Sequence, residues 1–459
     1  MTTTELSPDP EPMNATIDIP AAETPTDVPA NLTSRLPLGL RAPAKLLHDS
    51  AGIDPASAIV LAASALTAWA GDQLRVRVPG GISLPTACSL LMGLPPTVDP
   101  TRLDQVIFDA LVKREESVLE VLREHQRTNR PLNCGAFSAK PEETSLCSLL
   151  RNPDTNTLEQ AEACSGFDQL LVMLSGPGWI EKSTTNRDDD AGQHLRTLLS
   201  MSCERHSRIV RPTFRGPRNR TLGQIMVCVI ATAPEHLVRA AAGARGEYNI
   251  LKRSLLRHAP RFCVEQRPLN ANPLGPVTGP ESRSWDDALQ RATCVRTGKE
   301  FELVPDSAAT ASFTAWESRI TAELQAMEPL DACELRTLRN LPYRLYAGFR
   351  LALGPGESAP GIADLAIDIA ETIWRRAIAM YLAAAEENAE SELDANAARL
   401  LRHLQDFGPL RRRDLMRKQS VQKLAHHEPA LRLLIDSGRI HLDEFNRFAT
   451  VTPEAAVLN

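Results

Sequence analysis

Gly93, Thr97, Val98, Asp99, Pro100 and Thr101 occupy the spacing at which a protein chain can cradle a phosphate group. Ahead of them, Thr86-Ala87-Cys88-Ser89-Leu90-Leu91-Met92 is a small, apolar run of strand length, and an apolar helical repeat resumes over Leu103–Leu111. Strand, glycine turn and helix frame the phosphate-binding motif G-x-x-x-x-G-K-[ST]. In that motif backbone N–H groups close around phosphate oxygens, the lysine reaches the β/γ-phosphates and the hydroxyl holds Mg²⁺. Laid on this chain from Gly93, the second glycine falls on Val98, the lysine on Asp99 and the hydroxyl on Pro100. Valine resists the positive φ that glycine supplies, and aspartate repels phosphate. Proline removes both a hydroxyl ligand and a backbone donor. An ordinary loop after a buried strand accounts for the same residues.

A second position tests the same chemistry. Phosphoryl transfer needs carboxylates at the end of a neighbouring strand to hold the metal. Phe167–Leu174 reads as that strand, yet Ser175 and Gly176 follow it where acids would stand. Lysine is also absent nearby: Lys113 lies well along the following helix, and Arg102 is the closest cation that could substitute. No G-x-S-x-G or H-E-x-x-H motif occurs, and the only paired histidines are the adjacent His426-His427. Asp188-Asp189-Asp190 offers a cation site or a solvated loop. No cofactor is expected, and ATP with Mg²⁺ enters only if other residues replace those that are missing.

Cationic groups gather in two places. Between Met201 and Arg261, twelve Arg/Lys face three acids in a chain whose net charge is −6. Arg208, Arg211, Arg253, Arg257 and Arg261 are the candidates there for binding a polyanion; pairing with acids of the chain itself is the competing account. Arg411, Arg412, Arg413, Arg417, Lys418 and Lys423 form the second cluster, a candidate DNA-binding set on and after a short helix expected at Arg411–Arg417.

The elements that must position these residues follow from composition and periodicity. A length of 459 residues implies two or three domains, and 43% hydrophobic with 24% charged residues is ordinary for a globular protein. Nine cysteines without a C-x-x-C pair argue against a zinc site or a disulfide scaffold, and for a cytoplasmic location. The uncharged stretch Pro55–Gly71 is short for a membrane span, so it is expected to be a buried helix with Asp54 as its N-cap. No secretory leader is expected, because Arg35 is the first basic residue and no apolar stretch precedes it.

Residues 1–35 read as a disordered acidic tail and 36–265 as an α/β domain, with strands at Leu74–Val78, Phe167–Leu174 and Gln224–Thr232 alternating with helices. Thr128–Asn156 reads as irregular. A linker at 266–281 leads to a helical domain at 282–390, whose aromatic residues are expected in the core. Residues 391–452 have a winged-helix rhythm, followed by a tail at 453–459.

The order of these parts resembles domain-of-unknown-function family 3987, P-loop domains of phage- and plasmid-borne primase- and helicase-associated proteins. The resemblance spans roughly Leu36 to Leu442. It rests on the alanine-rich helix, the strand and turn at Gly93, and Arg208 and Arg211 before the Gln224–Thr232 strand. It rests also on Leu255, Leu256, Arg257, Arg261 and Phe262 after that strand, on Leu338–Tyr346, and on Ile367–Ala384. It implies a P-loop NTPase-like, mostly parallel sheet, then a helical domain and a C-terminal winged helix. It further implies a mobile-element protein that binds DNA or a replication partner, with oligomers open and no membrane role. Val98, Asp99, Pro100, Ser175 and Gly176 depart from the family pattern where activity would lie, so the expected protein is catalytically inactive. The alternatives are an ATPase or nucleotide binder using non-standard residues, and a protein-interaction scaffold.

Overall fold

The structure is a computed structural model, and it describes residues 32–87, 89–128, 149–151, 169–175, 179, 226–243, 261–265, 280–297, 301–327, 335–353, 360–411, 427–445 and 447–450. Five parallel strands form its main sheet: β3 (Leu90–Leu94), β4 (Leu149–Arg151), β5 (Gln169–Leu174), β6 (Met226–Pro234) and β7 (Arg261–Cys263). Across the sheet they run β4-β5-β6-β3-β7, so the first strand in sequence lies between the fourth and the fifth. The register sets Gly93 beside Ala233 on one side and Cys263 on the other. Strands buried on both faces read as unbroken apolar runs, as Leu90–Leu94 does.

The order in which the chain visits the strands reverses at β3. From β3 the chain passes through α4 (Pro100–Thr128) to the far edge, whereas from β6 it passes through α5 (Glu235–Gly243) to β7 on the opposite side. Right-handed crossovers then put α4 and α5 on opposite faces and open a crevice at the carboxyl end of β3.

Helices α2 (Leu38–Ala51) and α3 (Pro55–Ala70) precede the sheet, and α6 (Pro280–Thr297), α7 (Ser307–Gln325), α8 (Leu341–Ala352) and α9 (Ile362–Phe407) follow it; a one-turn helix, α1 (Leu32–Arg35), leads in. Every residue from Ala56 to Ala70 is buried, as expected for a helix apolar on all sides. Its small side chains admit close neighbours: a Cβ added at Gly348 of α8 would stand 3.0 Å from the Ala63 Cβ. Asp54 caps α3 as anticipated, its Oδ1 accepting the Ser57 N–H at 3.0 Å. Phe313, Trp316, Tyr343, Tyr346, Phe349, Trp374 and Tyr381 are all buried in the core.

Several expectations change. Thr128–Asn156, read as irregular, contains edge strand β4, too short to give a period-two signal. A second sheet, β2-β1-β8, joins β1 (Leu74–Arg77) and β2 (Ser83–Pro85) to β8 (Phe301–Leu303), which interrupts the segment read as wholly helical. Strands from both sides of the expected linker therefore share a sheet, and α2, α3, α6 and α8 share one core with the main sheet. The boundary expected at 390/391 falls inside α9, which runs unbroken for 46 residues.

A second, smaller core lies beyond. The end of α9 contributes Ala397, Leu400 and Leu404, α10 (His427–Asp436) contributes Ala430, Leu431 and Leu434, and a hairpin contributes Ile440 and Phe448. The hairpin strands β10 (Ile440–Leu442) and β11 (Arg447–Thr450) pair antiparallel, and β9 (Leu410–Arg411) adds an antiparallel third. Arg411 was expected on a short helix and sits instead in β9. Among the described residues no helix is long and apolar enough to cross a membrane.

Candidate functional site at the carboxyl edge of the parallel sheet

The segment Gly93 to Thr101 leaves the carboxyl end of β3 and enters α4 at Pro100. This is the strand–turn–helix frame anticipated from the sequence. Val98, Asp99 and Pro100 fill it. The Val98 N–H donates to the Pro95 carbonyl at 3.0 Å, closing a tight turn. The Val98 side chain is buried in the core, while Thr97 and Asp99 are exposed. The Asp99 carboxylate turns back on the helix, its Oδ1 accepting the Thr101 N–H at 2.8 Å. Pro100 opens the helix without an N–H to offer. A helix amino end attracts an anion through its unpaired N–H groups and its dipole. Here the chain supplies that anion itself.

Arg102, the cation nearest in sequence, is directed elsewhere. Its Nη1 donates to the Ser50 carbonyl at 2.8 Å and its Nε lies 3.9 Å from the Asp99 carboxylate. It ties the loop to the end of α2.

Gly93 serves packing. A Cβ there would stand 2.8 Å from the Cys263 Sγ and 3.3 Å from both the Glu235 Cα and the Val238 Cβ. The glycine lets the start of α5 press against β3, and the Val264 N–H donates to the Gly93 carbonyl at 2.8 Å. Glu235 and Arg239 pair one helical turn apart beside Cys263. Burial, reinforced by the Glu235 carboxylate and opposed by Arg239, pushes the Cys263 thiol up to about 12. That thiol lies 3.4 Å from the Met380 Sδ of α9.

Beside it sits a buried ionic cluster that sequence reasoning missed. Arg376 of α9 places Nη1 2.8 Å from the Asp54 carboxylate and Nε 3.0 Å from that of Glu265. The Ser57 hydroxyl donates to Asp54 Oδ2 at 2.6 Å, and the Glu265 N–H donates to the same oxygen at 3.2 Å. Asp54 is completely buried. Its capping role was legible from Asp54-Pro55, but a partner 322 positions further along carries no local signal. The cluster ties α3, the end of β7 and α9 together at the sheet edge.

Of the remaining candidate residues, Ser175 follows the end of β5 and is half-buried, and Gly176 lies outside the described residues. Beyond β6, the Trp179 Nε1 donates to the Thr232 carbonyl at 3.0 Å, an indole closing the neighbouring strand end. Arg261 corrects an expectation: it is 2% exposed, in β7, with its guanidinium 5.8 Å from the Tyr381 ring centroid, and so offers no charge to a polyanion. Its cross-strand neighbour Leu91 and the α9 helix over it explain the burial. Arg208, Arg211, Arg253 and Arg257 lie outside the described residues, as do Asp188-Asp189-Asp190. In the C-terminal cluster Arg411 is exposed; Arg412, Arg413, Arg417, Lys418 and Lys423 lie outside the described residues.

Compared with known proteins, the chain matches no family model and no curated protein.

Proposed function

We propose that this chain is a P-loop-like domain that has lost its phosphate chemistry and that works by binding DNA, or a replication partner on DNA, for a mobile element. The observation that carries the first half is the Asp99 carboxylate seated on the amino end of α4, at the carboxyl end of the strand where the strand order reverses. A nucleotide phosphate would have to displace a carboxylate of its own sign, and the loop itself carries no lysine to offer in return. Ser175 supports the same reading, because a strand end without carboxylates leaves Mg²⁺ unheld. Positioning and charge neutralisation supply nearly all of the rate in phosphoryl transfer, so losing both leaves little.

The second half rests on the C-terminal unit, where a helix, a helix-hairpin pair and the cationic run Arg411–Lys423 fit a winged-helix reading. Similarity to domain-of-unknown-function family 3987 belongs to the same proposal, as does a cytoplasmic setting.

The test is ATP turnover and calorimetric ATP binding by the purified full chain, with Asp99→Ala as the control. The proposal expects neither turnover nor binding heat from the wild type. Mg²⁺-dependent turnover well above background in the wild type overturns the dead-site reading. Affinity for DNA that falls steeply as salt rises supports the second half, and no affinity at any salt leaves a protein scaffold instead.

A further inference from the structure

The hairpin tip of the C-terminal unit is built to a degree its loop length does not require. Asp443 Oδ1 accepts the N–H groups of Phe445 and Arg447, each at 2.9 Å, and its Oδ2 accepts the Arg447 Nε at 2.8 Å. One carboxylate thus fixes the backbone of the turn and aims the guanidinium. That guanidinium lies 5.0 Å from the Phe445 ring centroid, which holds the ring from one side. Phe445 is nonetheless 67% exposed, and Leu442 beside the turn is 53% exposed.

The neighbouring strand adds charge. Arg411 of β9 is the direct cross-strand partner of Arg447, so two cations share one face of the antiparallel ladder. Like charges in that relation destabilise a sheet. Asp443 neutralises Arg447, whereas Arg411 has no carboxylate partner among the described residues and begins the run Arg411-Arg412-Arg413. Pro409, Leu410, Arg411, Phe445 and Arg447 line a cleft of about 300 Å³ beside the ring.

A single exposed phenyl group is commonplace. An exposed phenyl with its own arginine at 5.0 Å from the ring centroid, next to an arginine without a carboxylate partner among the described residues and a cleft of this size, is an arrangement on which an unpaired base stacks while its phosphate meets a cation. Duplex DNA presents phosphates but no open base face, and the carboxylates of an acidic peptide match the arginines but not the ring. We infer that Phe445, Arg447 and Arg411 form a binding site for single-stranded nucleic acid, with a base on the Phe445 ring and the adjoining phosphate at Arg411. Glu444, exposed at the same tip, limits the approach of the backbone on its side. The inference rests on the DNA-binding half of the proposed function and names the form of nucleic acid and the residues that meet it.

The experiment is fluorescence anisotropy of the full chain with labelled oligothymidine of about 15 nucleotides, and with a duplex of the same length. Phe445→Ala is expected to weaken single-strand binding about tenfold and leave duplex binding within twofold, while Phe445→Trp retains it. Arg411→Ala is expected to lower the slope of log K against log salt by about 0.7 for the single strand. The added indole fluorescence of the Phe445→Trp chain, taken against wild type, should be quenched on saturation by the oligonucleotide. Wild-type binding that Phe445→Ala leaves unchanged overturns this inference alone. No binding of either nucleic acid by the wild type overturns the DNA reading with it.

Discussion

Asp99 acts as a ligand for its own helix. Its carboxylate satisfies an N–H that would otherwise be orphaned, and Asp99→Ala is expected to lower stability by about 1 kcal/mol, measured by urea unfolding. The exposed Arg102–Asp99 pair adds little to that figure, because solvent screens it. Asp54 is a different case: it is wholly buried and Arg376 neutralises it. Arg376→Ala strands the carboxylate, and the expected loss is about 3–5 kcal/mol. Combining Arg376→Met with Asp54→Asn removes that pair of charges together and should recover part of that loss; no recovery would mean that neutralising Asp54 is not what the arginine contributes.

Cys263 gives a prediction that turns on pH. Its folded-state pKa is raised, so the folded chain holds a proton that the unfolded chain releases near 9. The contribution is complete below that value and is lost as pH rises from about 9 towards 12. Below pH 9 the thiol should also resist alkylation while exposed Cys294 reacts, a difference read by peptide mass mapping.

Among elements, close approach decides more than hydrophobicity. Gly93 sits in a strand whose neighbours β6 and β7 are both hydrogen-bonded to it, with α5 pressed on its face. Gly93→Ala has to move the Cys263 sulfur or the start of α5, and is expected to cost about 1–3 kcal/mol, with Gly93→Ala/Cys263→Ala recovering part of it. The sequence offered this glycine as the opening of a phosphate loop. Its position at a strand end was legible, but its reason was not, since the helix that needs the space begins at Glu235.

The same limit governs the rest of the sheet. β3, β5 and β6 were legible because each is a continuous apolar run, whereas β4, β7 and β8, at three residues each, fall below any periodic signal. Arg261 was misplaced for a related reason. Its charge counted towards a basic tract, and nothing nearby in sequence announces that Tyr381 and α9 cover it.

At the scale of the molecule, two cores are joined by one helix. Residues of α9 pack in the larger core as far as Tyr381 and in the smaller from Ala397 onward. Sequence periodicity caught both halves and read a break between them, because the intervening stretch of alanine and glutamate carries no apolar stripe to show that the helix continues. Replacing Ala389 with proline should therefore split thermal unfolding into two transitions, while a single unchanged transition would mean that the cores are coupled by other contacts.

An unbroken helix of 46 residues is roughly 69 Å long and resists bending. Arg376 and Met380 anchor one part of it to the sheet edge where β3 and β7 end, and the hairpin with Phe445 is packed on its other end. One stiff rod thus connects the tail to Asp54, Glu265 and Cys263. On the proposed reading, the place where an active P-loop domain spends ATP to move something is, in this chain, the socket in which the rod is fixed.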